Sequence, residues 1–84
     1  MNNKLLINIF VPNIEKDFDL FIPINKKVEI VKQLIINSVI ELTYGIYKPS
    51  DKLELYVKSD GRKLENNVYI KETNISNGEK LVLY

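Results

Sequence analysis

The sequence has no cysteine, histidine, tryptophan or alanine, and only one arginine, three glycines and three prolines among its 84 residues. Without cysteine there is no disulfide, zinc ribbon, iron–sulfur cluster or thiol nucleophile. Without histidine the chain lacks the side chain that titrates nearest neutrality, and with it the commonest metal ligand and general base. An excess of either charge is missing too: twelve basic and eleven acidic residues leave a net charge of +1, with the signs interspersed. Such a chain sets up no long-range field toward nucleic acid or an anionic bilayer. No apolar run approaches a membrane span, and the opening Met1-Asn2-Asn3-Lys4-Leu5-Leu6 lacks the apolar stretch of a signal peptide. The expectation is a small cytoplasmic domain that is not an enzyme and holds no metal or cofactor. Lysine outnumbers arginine eleven to one beside abundant asparagine and isoleucine. That bias points to AT-rich coding and removes meaning from the number of lysines.

Hydrophobic residues make up 45% of the chain. A chain of this length buries only roughly 60–65% of the surface it exposes when unfolded, so its core must be efficient. Lys4 to Val11 alternates as a strand, with Leu5, Ile7, Ile9 and Val11 on one side and Leu6, Asn8 and Phe10 on the other. Pro12-Asn13 supplies turn chemistry, with Asn13 suited to a left-handed position. Asp17 to Ile22 follows as a second strand in which Phe18, Leu20 and Ile22 alternate with Asp17, Asp19 and Phe21. Together they make an antiparallel hairpin.

From Lys26 to about Thr43 the apolar period lengthens to about 3.6 residues, placing Val28, Val31, Ile35, Ser38, Val39 and Leu42 on one arc of a helix. Asn25 is the expected N-cap and Gly45 the expected stop. The β-branched content disfavours an isolated helix, so packing on a sheet must hold it. A loop over Tyr44 to Lys52 returns the chain to a third strand around Leu53, Leu55 and Val57. Asp60-Gly61 predicts a type I′ hairpin turn into a short fourth strand, Lys63-Leu64-Glu65. Asn66 to Ile75 is irregular, Asn77-Gly78 turns the chain, and Lys80 to Tyr84 is the last strand. The order predicts one α+β domain over residues 1–84, a mixed sheet of four to five strands with one helix across one face.

The C-terminal third, Leu64-Glu65, Ile70, Asn74-Ile75 and Leu81-Val82-Leu83, resembles ubiquitin, and the hairpin and Lys27-Val28-Glu29-Ile30-Val31-Lys32 fit the same β-grasp pattern. The chain stops at Leu83-Tyr84 without a Gly-Gly tail, where it departs from ubiquitin. Its length, the Phe18-Asp19-Leu20 strand, the Ile75-Ser76-Asn77-Gly78-Glu79-Lys80-Leu81 ending and termination after the last strand are most similar to the YukD/EsaB group that accompanies bacterial type VII secretion systems. That resemblance implies a cytoplasmic, non-conjugated accessory subunit that docks onto a cytoplasmic domain of a membrane component. Two rival readings stand beside it. One is a sulfur carrier or protein modifier, which needs a reactive C-terminal glycine. The other is a free-standing regulatory domain, monomeric or a weak homodimer through its exposed strand.

Candidate chemistry is sparse. Glu15, Asp17 and Asp19 carry oxygens, but a hard cation needs about six or more converging from a loop, so a solvated strand face is the reading. Serines 38, 50, 59 and 76 have no histidine to activate them. Asp60-Gly61 and Asn77-Gly78 lack the spacing and lysine of a phosphate loop. Asn74-Ile75-Ser76 matches a glycosylation sequon by chance. Asp17, Asp19 and Glu54 share the expected face of Phe21, Tyr56 and Tyr84, and their acidity argues against a nucleic-acid partner.

Apolar residues in excess of one core are the informative feature. In β-grasp strand order the face of the sheet away from the helix gathers Leu6, Phe10, Phe21, Tyr56, Val82 and Tyr84, and contiguous patches above a few hundred Å² mark interaction sites. On the helix, Ile36 and Ile40 lie about 100° from the core arc. They are either a second contact or the seat of Ile46 and Tyr47 from the following loop. The sequence therefore predicts a non-catalytic protein-binding module, with the open sheet face as its docking surface.

Overall fold

The computed structural model of the chain describes residues 3–84. Lys4–Val11 forms β1 and Lys16–Pro23 forms β2, paired antiparallel with Leu6 opposite Phe21 and Asn8 opposite Asp19. Ile7, Ile9 and Val11 are buried while their neighbours are not, as a sheet covered on one side requires. The connection is a 3-10 turn, Pro12–Ile14. Proline's fixed φ suits the start of a helical turn, so Asn13 becomes helical and the left-handed position passes to Glu15 (φ 53°), whose N–H closes on the Pro12 carbonyl at 3.1 Å.

The helix α1 runs Val28–Leu42, and its N-cap is Lys27 rather than Asn25, with no side-chain cap. Tertiary structure supplies the missing acceptors. The Val28 N–H donates to the Val68 carbonyl at 2.8 Å and the Glu29 N–H to the Asn66 carbonyl at 3.1 Å. The irregular segment expected at Asn66 to Ile75 thus caps the helix before making its own 3-10 turn, Ile70–Glu72. At the other end the Tyr44 N–H bonds the Glu41 carbonyl and the Gly45 N–H bonds the Ile40 carbonyl at 2.8 Å, a Schellman closure. Both Tyr44 (φ 53°) and Gly45 (φ 80°) are left-handed.

The buried arc of α1 is Val28, Val31, Ile35, Ile36 and Val39. Leu42, expected in the core, is 51% exposed, and Ile36, expected on an open flank, is 7% exposed. The loop after the helix explains the exchange. Thr43 donates its hydroxyl to the Val39 carbonyl at 2.8 Å and accepts the Tyr47 N–H at 3.1 Å, which folds the chain back. Tyr47, 2% exposed, then joins Ile36 in one hydrophobic cluster, with Ile40 packed against it. Ile36 is therefore a core residue and no contact surface. Ile46 stays exposed, so of the two loop residues only Tyr47 covers the flank.

The chain re-enters the sheet as β3, Leu55–Val57, and closes as β4, Glu79–Leu83. Leu53 is buried ahead of β3 rather than paired within it. The sheet is four-stranded and mixed, in the order β2-β1-β4-β3, with β1 parallel to β4 and the other pairs antiparallel. The expected strand at Lys63–Glu65 is reduced to one bridge between Lys63 and Tyr56. Its partner β3 is only three residues long, and Leu64 turns into the core instead. The Asp60-Gly61 turn is not type I′, because only Gly61 has positive φ (74°). A four-residue loop forms instead, closed by Val57 N–H to the Arg62 carbonyl and Gly61 N–H to the Val57 carbonyl, both 2.8 Å. Asn77-Gly78 does turn the chain, and ties β1 to β4. Asn77 Oδ1 accepts the Leu6 N–H at 2.8 Å, and the Gly78 N–H (φ 86°) donates to the Leu6 carbonyl at 2.7 Å. Among the described residues no helix is long and apolar enough to cross a membrane.

Candidate protein interface on the open sheet face

With α1 covering one side, every second residue of the four strands faces away from it. Strand pairing orders these residues in rows. The central row runs Asp17, Phe10, Val82 and Tyr56, since Phe10 pairs with both Asp17 and Val82, and Val82 with Tyr56. The next row is Asp19, Asn8 and Lys80, with Lys58 beside it through its N–H to the Lys80 carbonyl. Leu6 and Phe21 form a further pair beyond that row. Tyr84 lies at the opposite end, where its N–H and C=O both bond Glu54, each at 3.0 Å.

The register thus places five of the six apolar residues expected on this face, though not as one patch, while Tyr84 lies just beyond the end of β4. Phe10, Val82 and Tyr56 make a continuous half-buried bar across three strands. A polar row separates it from Leu6 and Phe21. The Asn8 amide spans that row's edge, donating to Asp17 Oδ2 at 2.8 Å and Asp19 Oδ1 at 3.0 Å. Lys58 places its ammonium 5.9 Å from the centroid of the Phe10 ring, within cation–π reach. Phe21 and Tyr84 are well exposed at opposite ends. An apolar centre with a charged rim is the anatomy of a protein interface.

Glu54 does not belong to this face as expected. From the outer strand it reaches the helix side, where its carboxylate meets Lys32 Nζ at 3.0 Å, and the same ammonium donates to Asn66 Oδ1 at 3.1 Å. The pair ties α1 to β3 and to the capping segment. Asp17 and Asp19 hold the Asn8 amide, and among the described residues no cluster of three or more acidic residues could take a metal ion. Ser76 donates its hydroxyl to Glu79 Oε1 at 3.2 Å, and Ser50 accepts the Lys52 N–H at 3.3 Å, both local turn bonds.

Sequence reasoning missed a different apolar surface, along the seam between β2 and α1. Ile30, Leu34 and Leu42 on the helix are half-exposed, followed by Tyr44 at 96% and by Ile46. The signal was present. A helix apolar on more than one stripe has more to cover than one sheet can reach.

No family model and no curated protein matches the sequence. Solved structures do match in shape. The ubiquitin-like domain of the EccD5 protein from Mycobacterium xenopi superposes with a TM-score of 0.76 at 12% identity, over 99% of this chain and 94% of that one. A chain of an ESX-5 inner membrane complex gives the same score and identity over 99% of this chain and 21% of its own length. The ubiquitin-like domain of an Arabidopsis thaliana protein gives 0.71 at 19% identity, over 99% and 78% of the two chains. At such identities the likeness establishes shape alone. One helix across a mixed four-stranded sheet in this order, matched over nearly the whole chain, is the ubiquitin-like β-grasp fold.

Proposed function

We propose that the chain is a non-catalytic protein-interaction module, an accessory subunit of a type VII-like secretion system that docks on the cytoplasmic side. It does so by laying the open face of its sheet on a domain of a membrane component. The observation that carries this reading is the Phe10–Val82–Tyr56 bar, apolar, half-exposed and flanked by Lys58 and Asp17, on a face that no element covers among the described residues. The likeness in shape to an EccD5 domain and to a chain of an ESX-5 inner membrane complex supports the choice of system. Aromatic residues at the centre of such a surface commonly contribute about 2 kcal/mol or more, roughly thirtyfold in affinity.

The test is recovery of a secretion-system membrane component with the tagged protein from its own cells. Tyr56→Ala with Val82→Ser removes the middle of the bar. It should keep a cooperative thermal transition, because both positions are half-exposed and no closed cavity forms. Loss of the membrane component from the double variant alone is the expected result. Unchanged recovery would place docking elsewhere on the molecule.

A further inference from the structure

We propose that the outer edge of β2, with the groove between it and α1, receives an extended segment of a partner protein in which apolar side chains alternate with lysine or arginine. This site is distinct from the open-face bar and does not depend on the secretion-system reading.

β2 is an outer strand, paired among the described residues with β1 alone. The phase of that ladder is fixed by the bond from the Ile24 N–H to the Asn3 carbonyl at 3.0 Å. Hydrogen-bonded pairs recur at every second residue of an antiparallel ladder, so Phe18, Leu20 and Ile22 spend their backbone groups on β1. Asp17, Asp19 and Phe21 then direct their N–H and C=O groups outward, where none has a partner among the described residues. This is a template for strand addition, the mode in which main-chain bonds give affinity and alternate pockets give specificity.

Two hollows lie beside this edge on the helix side. One is lined by Leu20, Ile22 and Leu34 and also by the polar Asn37, Ser38 and Glu41. The other is lined by Ile14, Phe18, Leu42, Tyr44 and Ile46. Side chains on one side of an incoming strand recur every second residue, so alternate residues would enter the two hollows in turn. On the opposite side the same strand would face Asp17 and Asp19. Both carboxylates accept only the neutral Asn8 amide, and neither is in an ion pair among the described residues. Cationic residues at the intervening positions complete that charge.

A second copy of the chain is a poor occupant. Self-pairing that keeps the helix sides together sets Asp19 against Asp19 of the other copy, or Asp17 against Asp19. The next register sets Asp17 against Pro23, which has no N–H to give.

The experiment uses blocked synthetic peptides of eight residues, the length of β2, titrated into the isotope-labelled protein and followed by amide chemical shifts and hydrogen exchange. A peptide alternating lysine with valine should shift the Asp17, Asp19 and Phe21 amides and slow their exchange. A glutamate–valine peptide should bind at least about tenfold more weakly, and so should the lysine peptide to Asp17→Asn/Asp19→Asn, which keeps the acceptor oxygens for Asn8. Methylating alternate backbone nitrogens of the lysine peptide should abolish binding, whereas Tyr56→Ala/Val82→Ser should leave it unchanged. Absence of shifts at β2, shifts confined to Phe10, Val82 and Tyr56, or equal binding of the glutamate peptide would each overturn the proposal.

Discussion

Tyr47 shows how a single side chain can serve packing and work against it. Its ring is in the core, yet its phenolic oxygen is buried with no hydrogen-bond partner among the described residues. Burial also raises its pKa above the ordinary 10.0. A folded-state value above the unfolded one holds the proton in the native protein. The associated stability is complete below pH 10.0 and is lost as pH rises through the folded value. Tyr47→Phe should therefore leave stability at pH 7 unchanged or raise it by up to about 2 kcal/mol, and should flatten the alkaline loss. Urea midpoints of both proteins at neutral and alkaline pH check this. A drop of more than about 1 kcal/mol at neutral pH would show that the hydroxyl makes a bond. Leu81 and Val31 are fully buried between sheet and helix, on the sides that alternation and helical period assigned to them. Truncating either to alanine should destabilise by about 2–4 kcal/mol, read as a shift of the urea midpoint. Leu42 and Ile36 exchanged places because period alone places a residue on a wheel, whereas the Thr43–Tyr47 fold-back decides which flank is covered.

At the scale of elements, β1, β2 and the existence of α1 were legible because their periods run unbroken for eight residues or more. The helix start was not, because its acceptors are the Asn66 and Val68 carbonyls, far away in sequence. The short strand at Lys63 was not, because strand propensity cannot form a ladder against a three-residue partner. At the helix end Tyr44 occupies a left-handed position that glycine or asparagine usually fills, and it has no packing to lose at 96% exposure. Tyr44→Gly should stabilise the domain by about 0.5–1 kcal/mol, a rise of a few degrees in Tm by calorimetry. Gly45→Ala should do the reverse by about 1 kcal/mol, since a β-carbon is strained at φ 80°. A loss of stability in Tyr44→Gly would mean that the ring is held by contacts within the chain.

For the whole molecule, composition and element order led to the α+β class. The strand order, with β1 beside β4, came from resemblance, because pairing between residues some seventy positions apart leaves no local trace. The same order made the open face legible, and the register places Leu6, Phe10, Phe21, Tyr56 and Val82 on it, with Tyr84 just beyond the end of β4. Their division by Asn8, Asp19 and Lys80 was legible too once the register was known, since those residues are polar at alternate positions. The β2–α1 seam escaped because it needs the phase of backbone bonds, which side-chain patterns do not carry. The most direct measurement is an amide chemical-shift map of the labelled protein titrated with the cytoplasmic part of the membrane component that it recovers from cells. Docking through the open face predicts the largest shifts at Phe10, Tyr56 and Val82, with Tyr56→Ala/Val82→Ser abolishing them. Shifts centred on α1 or the Tyr44–Tyr47 loop, with the open face silent, would contradict it.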